Sequence, residues 1–241
     1  MDRLVDLIRE SKYVVVLTGA GVSTLSGIKD FRGKNGLYEQ KDADKIFDIE
    51  WFYKDPSIYY NAARDFFYNM NDAAPSIVHL VLAGLEARGI IQTVITQNID
   101  ILHQKAGSRK VLELHGSIGK HRCIKCGAII TLEEVTAIVN NGQVPSCGRC
   151  KGAVKPDIVF FGESLSSEVL LKAKNEACKA DLMIILGSTL VVNPAAMIPN
   201  YTLQNKGKIV IVNNMETYLD EKAVLKYEDL GKVFDYLSKN I

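Results

Sequence analysis

Four cysteines stand in two Cys-x-x-Cys pairs, Cys123 with Cys126 and Cys147 with Cys150, separated by twenty residues. Each pair can form a knuckle, and four thiolates converging on one point suit tetrahedral Zn²⁺. Because four thiolates leave no open coordination position, such a metal is structural, and its binding energy helps fold a module too small for its own core. A redox dithiol or a disulfide pairing is the lesser reading of the same residues, the more so in a reducing compartment. The fifth cysteine, Cys178, falls within a helical pattern and is expected to be a small core hydrophobe.

A second set of reactive residue types recurs where apolar runs end. "VITQNID" closes on Gln97, Asn98 and Asp100, "LELHG" on His115, "IILGST" on Gly187, Ser188 and Thr189, and "IVIVNN" on Asn213 and Asn214. Amides, hydroxyls, a carboxylate and an imidazole at one edge suit a polar nucleotide better than a core. In isolation His115 reads as a satisfied structural histidine. Following a buried strand and beside Gly116, it becomes the candidate general base, since imidazole titrates near neutral pH. His79 and His103 are expected to be packing or surface residues, His121 a polar neighbour of the cysteine module, and Lys34, Lys41 and Lys45 solvated charges.

The stretch "TGAGVST", Thr18 to Thr24, supplies half of a nucleotide loop. Gly19 and Gly21 after a buried strand would let backbone N–H groups approach a phosphate, with a helix beginning at "VSTLSG". A tight strand-to-helix turn without ligand remains the alternative. Thr24 stands where the third glycine of a dehydrogenase fingerprint belongs, and no acidic residue closes a second strand about 20 residues on, which disfavours hydride transfer.

The elements that must position these groups follow from hydrophobic periodicity. "YVVVLTG", "IIQTVITQN", "KVLELHG", "DIVFFG", "DLMIILGS" and "KIVIVNN" are too short for helices and too continuous for half-exposed strands, so they read as buried parallel strands. Between them lie helical patterns, "SIVHLVLAGLEARG" opened by Ser76 and closed by Gly89, and "SSEVLLKAKNEACKA" opened by Ser166 or Ser167. The alternation predicts a doubly wound α/β sheet. Two stretches interrupt it, an aromatic-rich helical insert over 31–74 and the cysteine module over 118–156, leaving a larger lobe of 1–30, 75–117 and 157–241. A ligand is expected in the cleft between the lobes.

Composition bounds the function. The 241 residues carry 29 Lys plus Arg against 28 Asp plus Glu, a net charge of +1, which offers no footprint for nucleic acid or an anionic membrane. "MDRLVDLIRES" alternates charged and apolar residues at helical spacing and lacks the apolar stretch of a signal peptide or spanning helix, so a cytoplasmic location is expected.

In order along the chain, "GAGVST", "GIKDFRG", "TQNID", "LHQKAG", "LHG", the two Cys-x-x-Cys pairs, "KPDIVFFGE", "GSTLVVNPA" and "IVNN" resemble the motifs of sirtuins, most of all the bacterial and archaeal protein deacylases. The resemblance spans nearly the whole chain. It implies a Rossmann-like NAD-binding domain, a zinc-ribbon lobe, and NAD held as a cosubstrate to be consumed. It places Gly19, Ala20, Gly21, Thr24, Phe31 and Arg32, with Asp30 beside them, against the NAD ribose and phosphates. Gln97, Asn98, Ile99 and Asp100 would line the nicotinamide pocket, Asp100 accepting from the carboxamide, with Ile28 and Phe31 as an apolar wall. Gly187, Ser188, Thr189 and Asn213 would hold the adenosine half. Asn98 and His115 would be catalytic, His115 taking a ribose hydroxyl proton.

The same resemblance implies an acetyl-lysine protein or peptide as partner, sandwiched as a strand between Val159, Phe160, Phe161, Gly162 and Glu163 on one side and Val191, Val192 and Asn193 on the other. Sirtuins that prefer acidic acyl groups carry Tyr-x-x-Arg in the helical insert. Here Tyr60 and Arg64 stand four apart, which favours acetyl or another uncharged group. Lys29 replaces the usual proline of "GIPDFR" beside the NAD loop. Two other functions use these parts, mono-ADP-ribosyl transfer through the same first step and a non-catalytic NAD- or zinc-dependent binding module.

Overall fold

The computed structural model describes residues 1–28, 43–69 and 73–241. In order these form α1 (Asp2–Glu10), β1 (Val14–Thr18), α2 (Gly21–Thr24), α3 (Ala43–Ile46), α4 (Ile49–Lys54), α5 (Pro56–Ala63), α6 (Ile77–Ala87), β2 (Ile91–Thr96), α7 (Leu102–Lys105) and β3 (Val111–Glu113). There follow β4 (Gly116–Cys123), β5 (Ile129–Thr131), α8 (Leu132–Asn140), β6 (Val154–Ile158), α9 (Ser167–Lys179), β7 (Leu182–Leu186), α10 (Ile198–Gln204), β8 (Lys208–Val212), β9 (Leu225–Tyr227) and α11 (Leu230–Asn240).

Six parallel strands make the main sheet in the order β3-β2-β1-β7-β8-β9. Every residue of β1 and β7 is buried, as a strand covered on both faces requires. Side-chain alternation divides them between two cores. Val14 and Val16 pack with Leu4 and Ile8 of α1, Leu82 of α6 and Phe234 of α11. Val15 and Leu17 pack with Ala173 and Ala177 of α9 and Ile198 beside them on α10. Ser76 caps α6 and Gly89 follows it at φ +73°, while Ser166 caps α9 through the Val169 N–H.

One expected strand lies elsewhere. "DIVFFG" does not join the parallel sheet; its first residues end β6, which pairs antiparallel with β4 in a separate sheet ordered β5-β4-β6. A continuous apolar run marks burial on both faces but not which core supplies it. Here the partner is a third core, rich in aromatics: Phe47, Phe52, Tyr59, Tyr60, Tyr68 and Phe160 pack edge to face with centroids 5.0–6.5 Å apart. The sixth place in the main sheet falls to β9, paired with β8 through Val210 and Leu225. Its exposed Lys226 broke the apolar pattern, as an edge strand permits.

Strand order reverses at β1. The chain runs outward from β1 through β2 to β3, then returns to β7 on the other side and continues to β9. The crevice beyond the carboxyl ends of β1 and β7 is therefore the place where a doubly wound sheet accepts a ligand.

Candidate active site

At that crevice two glycine loops touch. A Cβ on Gly19 would sit 2.6 Å from the Gly187 carbonyl oxygen, and one on Gly21 would sit 2.6 Å from Gly187 Cα. Gly187 itself has φ +59°. The Gly19 N–H donates to Leu186 O and the Gly21 N–H to Gly187 O, both at 2.9 Å. The N–H groups of these two glycines are therefore spent on the neighbouring loop. Their absence of side chains serves close backbone approach. The helix that follows, α2, lasts only four residues, too few to build a macrodipole.

A cavity of about 270 Å³ opens beside this contact. Gly19, Ala20, Gly21, Gln97, Asn98, Ile99, His115, Gly187, Ser188, Thr189 and Asn213 line it. So do Val159, Phe160, Phe161, Gly162, Glu163, Val192 and Asn193, together with Phe47, Ile158, Leu165, Asn214 and Met215, which lay outside the expected site. Asn214 carried a signal, its place at the end of an apolar run; Met215 and Phe47 carried none, because loops and the inserted lobe bring them there.

Four expected residues lie off this cavity. Thr24 is exposed and spends its hydroxyl on the Gly21 carbonyl. Val191 is 62% exposed. Asp100 lines a smaller neighbouring cavity with Ile28, Ile101 and Lys105. Asp30, Phe31 and Arg32, like Lys29, Lys34 and Lys41, lie outside the described residues.

The polar groups are held by one another. Asn98 is buried, and its Nδ2 donates to Gly19 O at 3.1 Å and Ser23 Oγ at 3.0 Å. Ser23 in turn donates to Asp100 Oδ2 at 2.6 Å, and Asp100 Oδ1 accepts the Leu102 N–H. The next residue, Ile101, takes φ +60°, a costly region for a β-branched side chain. Gln97 Nε2 donates to Ser188 Oγ at 2.8 Å, linking β2 to β7, and Asn213 Nδ2 donates to Met215 O.

His115 is fixed in one tautomer. Its Nδ1 lies 2.9 Å from the Gln97 carbonyl, which can only accept, so Nδ1 carries the proton and Nε2 keeps its lone pair. Burial lowers its pKa below the ordinary histidine value, with the Gln97 hydrogen bond opposing. A neutral imidazole lining a cavity, aimed by a carbonyl, has the form of a general base.

Beneath this layer His103 and His79 are fully inside, their rings 4.7 Å apart. His103 Nε2 meets Thr18 Oγ1 at 2.9 Å, Thr18 donates to Thr96 Oγ1, and Thr96 Oγ1 accepts the Asn98 N–H. His79 accepts the Ser76 N–H and completes the cap of α6. Both are packing residues, as one of the two expectations had it.

The four paired cysteines bring their Sγ atoms within 4.8 Å of one another, with Cys123 to Cys150 at 3.4 Å and Cys126 to Cys147 at 3.7 Å. Tetrahedral Zn–S bonds of about 2.3 Å place sulfurs about 3.8 Å apart, so the cluster fits a structural zinc site. A Cβ on Gly152 would press to 3.1 Å from Cys123 Sγ, so the turn around the sulfurs has room for glycine only. His121 is not a spare neighbour of this cluster: it is fully buried and bonds Tyr68 Oη at 2.7 Å. Cys178 is half-buried and outside the cores, so it does not match its expected role of core hydrophobe, and the Lys45 ammonium lies 4.9 Å from the centroid of the exposed Trp51 ring. Tyr60 is buried, its hydroxyl donating to Val154 O, which removes it from any acyl group.

The profile of the Sir2 family matches residues 19–194. An NAD-dependent protein deacetylase of Thermotoga maritima is 48% identical over 227 residues, 94% of this chain and 92% of that protein. A solved Sir2 structure with p53 peptide and NAD⁺ superposes with a TM-score of 0.91 at 44% identity, covering 99% of this chain and 97% of the other. Another, with deacetylated p53 peptide and 3'-O-acetyl-ADP-ribose, gives a TM-score of 0.94 at 44% identity and the same coverage. Identity of this level across almost the whole length of both partners, on one common fold, leaves a single assignment: the chain belongs to the Sir2 family.

Proposed function

We infer that this chain is an NAD-dependent protein-lysine deacetylase. The acyl oxygen of acetyl-lysine attacks C1′ of the nicotinamide ribose and nicotinamide leaves. A ribose hydroxyl then loses its proton and attacks the acyl carbon, the lysine amine leaves, and a water from solvent adds to the cyclic acyl-ribose cation, giving free lysine and O-acetyl-ADP-ribose. The observation that carries this reading is His115, whose Nε2 lone pair is set by the Gln97 carbonyl in the wall of the cavity.

Within that chemistry the chain's residues divide the work. His115 takes the hydroxyl proton on Nε2. Asn98, held by Gly19 and Ser23, orients the ribose, and Asp100, acceptor-only, takes the nicotinamide amide. Asp30, Phe31 and Arg32 complete the ribose and phosphate contacts, as the family motif implies. Gly187, Ser188, Thr189 and Asn213 hold the adenosine half. The apolar groups of Val159 and Phe161 exclude water and accept an uncharged acyl-lysine where an ammonium would pay a desolvation cost. Zinc on the four thiolates would crosslink the cysteine module of 118–156 and take no part in the reaction.

No helix of the described residues is long and apolar enough to cross a membrane. Action in the cytoplasm fits the four cysteines, which gather as metal ligands and not as disulfides. The test is mass spectrometry of acetyl-, propionyl- and succinyl-peptides with and without NAD. Acetyl or propionyl loss with equimolar nicotinamide and O-acyl-ADP-ribose is expected. ADP-ribose fixed covalently to protein, or no NAD-dependent product, would refute the assignment.

A further inference from the structure

Among the described residues Lys155 is the only lysine, arginine or carboxylate that is buried, at 8% exposure. It sits on β6, and nothing in the proposed chemistry uses it. Its ammonium donates to Ile158 O at 2.7 Å and Pro156 O at 3.3 Å, and pairs with Glu163 Oε2 at 2.8 Å. The face of Phe160 lies 4.2 Å from Nζ. The same Glu163 oxygen accepts the Phe160 N–H at 2.8 Å. All three donors of the ammonium are thus spent within eight residues of chain, and every partner beyond Pro156 lines the cavity.

That stretch is also held by the Phe160 ring in the aromatic core and by backbone bonds, among them the Ile49 N–H to Phe161 O at 3.1 Å. β6 ends at Ile158, and the following residues leave the ladder. Val159 N–H donates to His115 O, Phe161 N–H to Phe47 O, and Glu163 N–H closes a turn on Phe160 O. Phe161 still exposes half of its surface. A charge is costly to bury, and burial lowers the Lys155 pKa against the pull of Glu163. An apolar side chain would fill the place without that cost, so the ammonium is kept for the geometry it imposes.

We propose that Lys155 is a positioning residue for the acyl-lysine peptide: by tying Ile158, Phe160 and Glu163 together it fixes the wall from which Val159 and Phe161 meet the substrate. The proposal rests on the reading of 159–163 as that wall. Among the described residues none of the hydrogen bonds and contacts of Lys155 reaches the glycine loops at 19–21 and 187–189, so its direct influence falls on the peptide wall.

Steady-state kinetics of the zinc-loaded full chain test this with Lys155→Met, Lys155→Arg and Glu163→Gln. Turnover by the wild type comes first, because its absence would sink the deacetylase reading itself. With the wild type active, Lys155→Met is expected to raise the peptide KM about 10-fold while the NAD KM stays within about 2-fold and kcat changes little, the pattern of lost ground-state binding. Lys155→Arg keeps the charge and a fork for Glu163, and should return the peptide KM to within about 3-fold of wild type. An unchanged peptide KM in a folded Lys155→Met protein, or NAD and peptide KM rising together, would overturn the proposal. If Lys155→Met melts below the assay temperature, Glu163→Gln decides: it keeps an acceptor but loses the charge, and a peptide KM equal to wild type refutes the role.

Discussion

His103 offers a quantitative test of how the floor of the site is held. Thr18 gives its hydroxyl proton to Thr96, so it must accept from His103 Nε2–H, leaving Nδ1 bare. Nδ1 has no partner and the ring is 1% exposed. Protonation would bury a charge with an unpaired donor, 4.7 Å from a second imidazole. Burial first, and the charge of His79 second, push the His103 pKa down from 6.5 to about 3. The folded value lies below the unfolded one, so acid favours the unfolded chain, which binds the proton first. The stability held by neutral His103 is complete above pH 6.5 and is lost progressively as pH falls toward 3. At pH 5, about 1.5 units below the unfolded value, the loss is about 2 kcal/mol. That is a large part of a stability of about 5–15 kcal/mol. Urea unfolding at pH 7.5 and pH 5.0 measures it, with zinc-loaded wild type compared with His103→Gln, whose amide can still donate to Thr18 but does not titrate. Titration of groups away from this pair contributes to both proteins and cancels, so the difference reports the interacting His79–His103 pair, in which His103 carries the larger depression. The variant should lose about 2 kcal/mol less than the wild type between the two pH values. Equal losses would refute the buried-neutral assignment.

Three further outcomes follow from the site. A Cβ at Gly187 would meet Gly21 Cα and Val22 N at 2.7 Å, backbone on both counts, so Gly187→Ala should cost about 1–3 kcal/mol or more by thermal melting and abolish NAD binding by calorimetry; a variant that binds NAD as wild type would break the link between loop contact and site. Because burial depresses the His115 pKa, the base form persists below pH 6.5: the acidic limb of kcat/KM should lie below that value, and His115→Ala should lose turnover while keeping NAD binding. A limb above 6.5, or an active variant, contradicts the role. Trp51, the single tryptophan, is exposed on α4, whose Phe52 lies in the aromatic core with Cys123 and Cys147, so chelation of the metal should change its fluorescence before far-UV dichroism falls; fluorescence unchanged by chelation would show that the aromatic core does not depend on the thiolate cluster.

Much of this protein was legible in one dimension. The apolar runs that became β1, β2, β7 and β8 declared strands covered on both faces, because a sheet between helix layers buries every residue of β1 and β7 and all but one of β2 and of β8. The paired cysteines declared their cluster through thiolate chemistry and spacing alone. Ser76 and Ser166 marked helix starts, since an N-cap is a local matter of one side chain and one N–H.

What the sequence left open depended on partners distant in the chain. "DIVFFG" has the same apolar character whether a parallel sheet or an aromatic cluster covers it, and only packing against Phe47 and Phe52 decided. Gly19 and Gly21 read as room for close backbone approach, and only the fold shows that Gly187, 168 residues after Gly19, fills the space beside them. The tautomer of His115 and the burial of Lys155 likewise arise from groups that chain order does not bring together, or whose orientation it does not set. Residue type and spacing determined which elements form and which chemistry is on hand, because those are set by local sterics and side-chain reactivity. Which carbonyl, sulfur or ring each group faces was decided by tertiary closure, because the hydrogen bonds that fix orientation exist only once the three cores have folded.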